Sequence, residues 1–234
     1  MNLMRLEFRK VPMKAYIMAS LIIWISMLGF IYLFAYAPRI DPDPDMQVFA
    51  GYDNLVVLFG AFNMAVFCTM ASVMYTKFII NEYGGKRAVL LFSYPVSRSK
   101  VLLAKIYSVS LFAITSMLAT YLSILVIFSM TERFFPIVND EFTLAILVKV
   151  IKLAGIFPIT AAAISIISVG IGFIKKSVPA TILSAILLSS LLCNIMMNTL
   201  GSESSALVFA GMSCLSGIAV IFLLLKNINT MEVN

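Results

Sequence analysis

Six long apolar runs, and the way charge is sorted between them, decide most of what this chain can fold into. The runs cover residues 15–37, 54–78, 104–129, 154–174, 178–198 and 206–225. Each is close to the ~20 residues that carry a helix across about 30 Å of hydrocarbon. Lipid offers no partner for an open N–H or C=O, so each run reads as a helix. The fold class is therefore all-α, a polytopic membrane protein with six transmembrane helices. Thirteen of the 17 Lys and Arg fall on or beside the first, third, fifth and seventh of the segments that flank the runs. Eight of the 11 Asp and Glu fall on the others. The positive-inside rule then makes the basic side cytoplasmic, with both termini on it. The net charge of +6 reports topology and gives no reason to expect nucleic acid as a partner.

An apolar fraction of 62% with 12% charged residues is far from a soluble domain. Residues 1–234 read as one transmembrane domain without a sizeable soluble part. Ala35-Tyr36-Ala37 imitates a signal-peptidase site, but the run before it is too long for a signal core and Pro38 follows directly, so no cleavage is expected.

The chemistry an enzyme or ion pump needs is missing from the runs. There is no His, the commonest general base and metal ligand. No Asp or Glu lies within the six spans as drawn, and Asn63, Asn194 and Asn198 bond between helices without shuttling protons. Cys68, Cys193 and Cys214 lack metal-ligand or disulfide spacing. Gly84-Gly85-Lys86 is too short to cradle a nucleotide. No cofactor or metal is expected in this chain, and any energy for transport comes from another one.

The connecting segments are informative. Residues 1–14 place Arg5, Arg9, Lys10 and Lys14 beside Met4, Phe8 and Val11 at helical spacing, a short basic helix lying on the cytoplasmic leaflet until Pro12 ends it. In the first outer loop Asp41, Asp43 and Asp45 alternate with Pro42 and Pro44, which predicts a stiff extended chain unable to wrap an ion. After Gly84-Gly85, residues 86–92 predict two turns of apolar helix, Tyr94-Pro95 a break, and Ser97 a cap for the next helix. A short apolar helix at that surface needs lipid headgroups or a protein to dock against. Residues 141–153 predict an interfacial helix on the outer face, with Glu141, Lys149 and Lys152 within about 80° of one another. Gly155 and Pro158 are expected to separate it from the fourth span. Two stripes of small residues, Ala161, Ser165, Ser168, Gly172 and Ala206, Ala210, Ser213, Gly217, allow close backbone approach. Either they pack within the subunit or they form a sliding or dimer surface.

The topology and the 82–100 segment together resemble the permease subunits of type-2 ABC exporters. The residues that carry the likeness are Glu82, Gly84-Gly85, Leu90-Leu91, Tyr94-Pro95-Val96, Ser97-Arg98 and Lys105, a stretch of about 25 residues. The resemblance implies that residues 1–14 are the elbow helix, with Met4, Arg5, Phe8 and Arg9 at its core, and that residues 86–92 are a coupling helix. Glu82, Lys86, Arg87, Leu90, Leu91, Tyr94, Pro95 and Arg98 would form the dock for a separate cytoplasmic ATPase subunit, which holds the ATP and Mg. It further implies a second permease half, a copy or a different chain, and a bacterial cell membrane. The implied cargo is amphipathic or lipid-like, such as an antimicrobial or toxin peptide. Glu141, Lys149 and Lys152 would then stand at an outer gate. One departure is the short turn at 201–205, where larger members of the family carry a helical hairpin. A scaffold subunit that holds a cytoplasmic partner through 82–100 fits the same loop, and a secondary transporter is a third alternative.

Overall fold

The computed structural model describes residues 13–40, 43–82, 97–138, 140, 143–198 and 203–230. The elements among them are helices: α1 Met13–Ile40, α2 Pro44–Gln47, α3 Tyr52–Tyr75 with a π-helical turn Thr76–Ile80, α4 Arg98–Phe134, α5 Leu144–Lys175, α6 Val178–Asn198 and α7 Glu203–Thr230. All but α2 are long and apolar enough to cross a membrane, one for each apolar run. All six but α6 extend beyond their runs, because a charged side chain does not end a helix, whereas capping and backbone geometry do. Thus α4 continues through Thr131-Glu132-Arg133 to Phe134.

The long helices α3 and α5 form the centre of the bundle, while α1, α6 and α7 expose most of their surface. Helix α5 packs against α3, α6 and α7. Close approach is built from small residues: a Cβ on Gly60 would overlap the Phe157 ring, and one on Gly172 would overlap the Thr181 side chain of α6. The α5 stripe is buried inside the subunit, where Ser165 faces the Tyr75 hydroxyl of α3. On α7, Ala206, Ala210 and Ser213 are buried, and Gly217 stands so that a Cβ would lie 3.5 Å from Ala163 of α5. Both stripes are packing surfaces within one chain rather than a sliding face.

Helices α1 and α4 run parallel in one register. Trp24 Nε1 donates to Ser123 Oγ at 2.8 Å, and the Tyr32 and Thr131 hydroxyls meet at 2.6 Å, each pair 99 positions apart. Beyond the helix end Arg39 donates to the Pro136 carbonyl at 2.6 Å.

Two local expectations are corrected. The first outer loop is not extended throughout, because Pro44 starts the single turn α2, with the Asp43 carbonyl accepting from Met46 N at 3.0 Å and Gln47 N at 3.1 Å. Proline suits the first helical position, where its missing N–H is not needed. The expected break at Gly155 and Pro158 is also absent, since α5 is one helix of 32 residues with Pro158 inside it. Leu153, Ala154, Phe157 and Pro158 are all buried, and spanning helices tolerate proline where their neighbours hold them. At about 1.5 Å per residue α5 is about 48 Å long, well beyond about 30 Å of hydrocarbon. The interfacial helix of 141–153 is thus replaced by a projecting end of α5. At the other end a left-handed Lys176 (φ 48°) lets Ser177 N reach the Gly172 carbonyl at 3.1 Å, and α6 begins at once.

Candidate functional site

The last turn of α3 widens so that Asn81 N reaches the Thr76 carbonyl at 2.9 Å, leaving the Phe78 carbonyl without a helical partner among the described residues. Lys105, two turns into α4, fills the gap. Its side chain is fully buried, Nζ donates to the Phe78 carbonyl at 3.0 Å, and the same ammonium forms an ion pair with the Glu82 carboxylate. The carbonyl end of a helix carries partial negative charge, so one cation answers both the dipole and the carboxylate. Tyr75, Phe78, Ile79, Leu102 and Ile106 pack in the same buried cluster. Tyr75 adds a second tie to α4, its hydroxyl donating to the Ile106 carbonyl at 3.2 Å and meeting Ser110 Oγ at 2.7 Å.

Glu82 opens the 82–100 segment expected to dock an ATPase, and its pair with Lys105 ties that end to α4. Ser97, near the other end, is the residue before α4. The Ser97 carbonyl accepts from Lys100 N and Val101 N, yet its hydroxyl makes no capping bond, contrary to the expected cap. Arg98 is the first residue of α4. Of the proposed dock residues, Lys86, Arg87, Leu90, Leu91, Tyr94 and Pro95 lie outside the described residues. So do Met4, Arg5, Phe8 and Arg9 of the elbow helix and Glu141 of the gate.

Between α3 and α6 an open cleft of about 560 Å³ runs along Phe62, Val66, Thr69, Ile186, Ser190 and Asn194. Among the described residues, no charged side chain lines it. Phe62 continues into an aromatic wall with Phe30 and Phe34 of α1, at ring separations of 4.7 and 6.5 Å. Cys193 ties the two helices by donating to the Ala61 carbonyl at 3.1 Å. Asn63 turns away, fully buried, with Nδ2 3.5 Å from the Met117 carbonyl.

Residues 3–190 match the family described as ABC-2 family transporter protein, which is most of the chain. The chain belongs to that family. It is also 30% identical over 192 residues to the uncharacterized protein YcbO of Bacillus subtilis (strain 168), covering 82% of this chain and 83% of that protein. No solved structure matches. Membership makes this ABC-2 protein a multi-pass membrane subunit of an ABC transporter, of a family that associates with an ATPase subunit and does not itself carry the catalytic step.

At the acidic end of this ABC-2 subunit, Lys149 of α5 turns back to Asp53 at the start of α3, with Nζ 3.2 Å from Oδ1. Lys152 is exposed one turn further on. Among the described gate residues, Lys149 therefore joins two helices. Glu132 was not singled out by sequence, because it was counted as a loop acid. It is buried in the last turn of α4, where Oε1 accepts from Ile137 N and Val138 N, each at 2.6 Å, and fixes the chain's exit toward α5. The signal was its place directly after an apolar run. Glu82 and Lys105 were both visible in the sequence pattern, but their pairing was not. Opposite charges at the facing ends of a helical hairpin were the available clue.

Proposed function

We propose that this chain is one permease half of an ATP-driven exporter whose cargo is amphipathic or hydrophobic, with an antimicrobial or toxin peptide as the best-fitting class. The observation that carries this reading is the cleft between α3 and α6: apolar, aromatic on one wall and, among the described residues, free of lining charge. It opens on the side of the subunit, so a second half, a copy or a different permease, would close it into a pathway. An uncharged lining favours cargo that enters sideways from a leaflet over a sugar or an ion. ATP and Mg belong to the partner ATPase, docked on 82–100, and the function is export or self-immunity in a bacterial cell membrane.

Filling the cleft tests the reading. In proteoliposomes containing the partner ATPase and both permease halves, Ala65→Trp and Ser190→Trp should each lower peptide-stimulated hydrolysis at least about tenfold while basal hydrolysis persists. Full stimulation in both variants would reject the cleft as the pathway.

The proposed topology places both termini and residues 82–100 in the cytoplasm, as the charge sorting requires. A membrane-impermeant maleimide added to intact cells should label a Ser202→Cys variant and miss a Ser97→Cys variant. Labelling in the opposite pattern would invert the topology and remove the dock from the ATPase side.

A further inference from the structure

A second groove lies on another face of α1 from the aromatic wall, between α1 and α4, and its depth matches one leaflet. Helices α1 and α4 touch through Trp24–Ser123 and Tyr32–Thr131, and the space between them lies on the basic-end side of Trp24. There they leave an open space of about 470 Å³, with Ile17, Leu21 and Trp24 on α1 and Phe112, Ser116 and Ala119 on α4. The Trp24 indole, held by Ser123, closes the top. Ile17 and Leu21 are exposed, so the space opens outward to lipid.

Two lysines stand beyond the lower end of this lining. Lys14 is exposed one turn below Ile17, on the same side of α1 as Ile17 and Leu21. Lys77, exposed at the end of α3, holds its ammonium 5.8 Å from the centre of the Tyr16 ring, one turn below Ser20, another groove residue. The Tyr16 hydroxyl is buried with no hydrogen-bond partner among the described residues. From Lys14 to Trp24 the helix rises about 15 Å, half of the ~30 Å hydrocarbon. An apolar slot one leaflet deep, closed near mid-bilayer and with two ammonium groups beyond its lower end, has the shape and charge of a glycerophospholipid site.

We propose that the α1/α4 groove binds one anionic phospholipid of the cytoplasmic leaflet, an acyl chain between the helices and the phosphate between Lys14 and Lys77. The small residues Ser116 and Ala119 make room for the chain, and the lysines choose the headgroup. Each lysine near a surface favours an anionic lipid by about fivefold. This site is separate from the cleft between α3 and α6 and does not depend on which cargo the permease moves.

The test uses the full-length permease reconstituted in liposomes of equal phosphatidylglycerol and phosphatidylcholine, extracted in mild detergent, with retained lipid counted by native mass spectrometry. The wild type should keep one phosphatidylglycerol in preference to phosphatidylcholine. Lys14→Gln/Lys77→Gln should abolish that preference while one lipid of either kind remains. Ala119→Trp should remove the retained lipid, and Ser116→Phe is a second filling variant should the first fail to fold. Persistence of the preference in the lysine variant, or of the lipid in the filled groove, would overturn the site. So would efficient disulfide pairing of Ser116→Cys between two copies in the membrane, which would show that a second subunit covers the groove.

Discussion

Lys105→Met will destabilise the bundle by about 3–5 kcal/mol, the cost of removing one partner from a buried ion pair. Methionine keeps much of the volume, so the loss is electrostatic: the Phe78 carbonyl and the largely buried Glu82 carboxylate lose their shared cation. Lys105→Met/Glu82→Met should recover most of the loss, because a well-packed apolar pair often replaces a buried salt bridge without penalty. A double-mutant cycle from denaturant unfolding in detergent measures the coupling. Wild-type stability in the single variant would show that the pair contributes nothing. The same pair fastens the end of α3 to α4, so the recovered double variant should respond less than the wild type to ATP hydrolysis by the partner. That separates stability from transmission.

Leu90→Asp/Leu91→Asp is expected to abolish co-purification of the ATPase subunit. Central apolar anchors of a dock each contribute about 2 kcal/mol or more, so losing two weakens binding about a thousandfold. Unlike Lys105→Met, this change should leave insertion and unfolding of the bundle at wild-type values. Retained ATPase with full hydrolysis would remove 82–100 as the dock, and the scaffold reading through the same loop would fall with it.

These two experiments also mark where sequence reasoning reaches and where it stops. The six spans were legible because lipid forces any long apolar run to satisfy its own backbone, whatever packs beside it. Charge sorting was legible for a similar reason, since it depends on loop composition and not on contacts. Helix ends were not: Glu132 and Arg133 looked like a loop, yet α4 winds through them. Pro158 looked like a break, yet burial against neighbouring helices carries α5 straight past it.

Site residues divide in the same way. The likeness at 82–105 singled out Glu82 and Lys105 from residue types in order along the chain, which is one-dimensional information. That the Lys105 ammonium is buried and shared between the Glu82 carboxylate and the Phe78 carbonyl follows from how α3 and α4 pack. Lys149 shows the same division: its helical face was predictable, but its partner Asp53 lies on another helix. The sequence by itself determined the number of spans, their charge asymmetry and the family, because each is set by local composition or order along the chain. Only the tertiary structure decided which charges pair, that both small-residue stripes are internal, and where the two grooves lie. Those depend on the register and separation of helices far apart in sequence, as in the α1–α4 pair that meets at Trp24 and Ser123 with the groove below them.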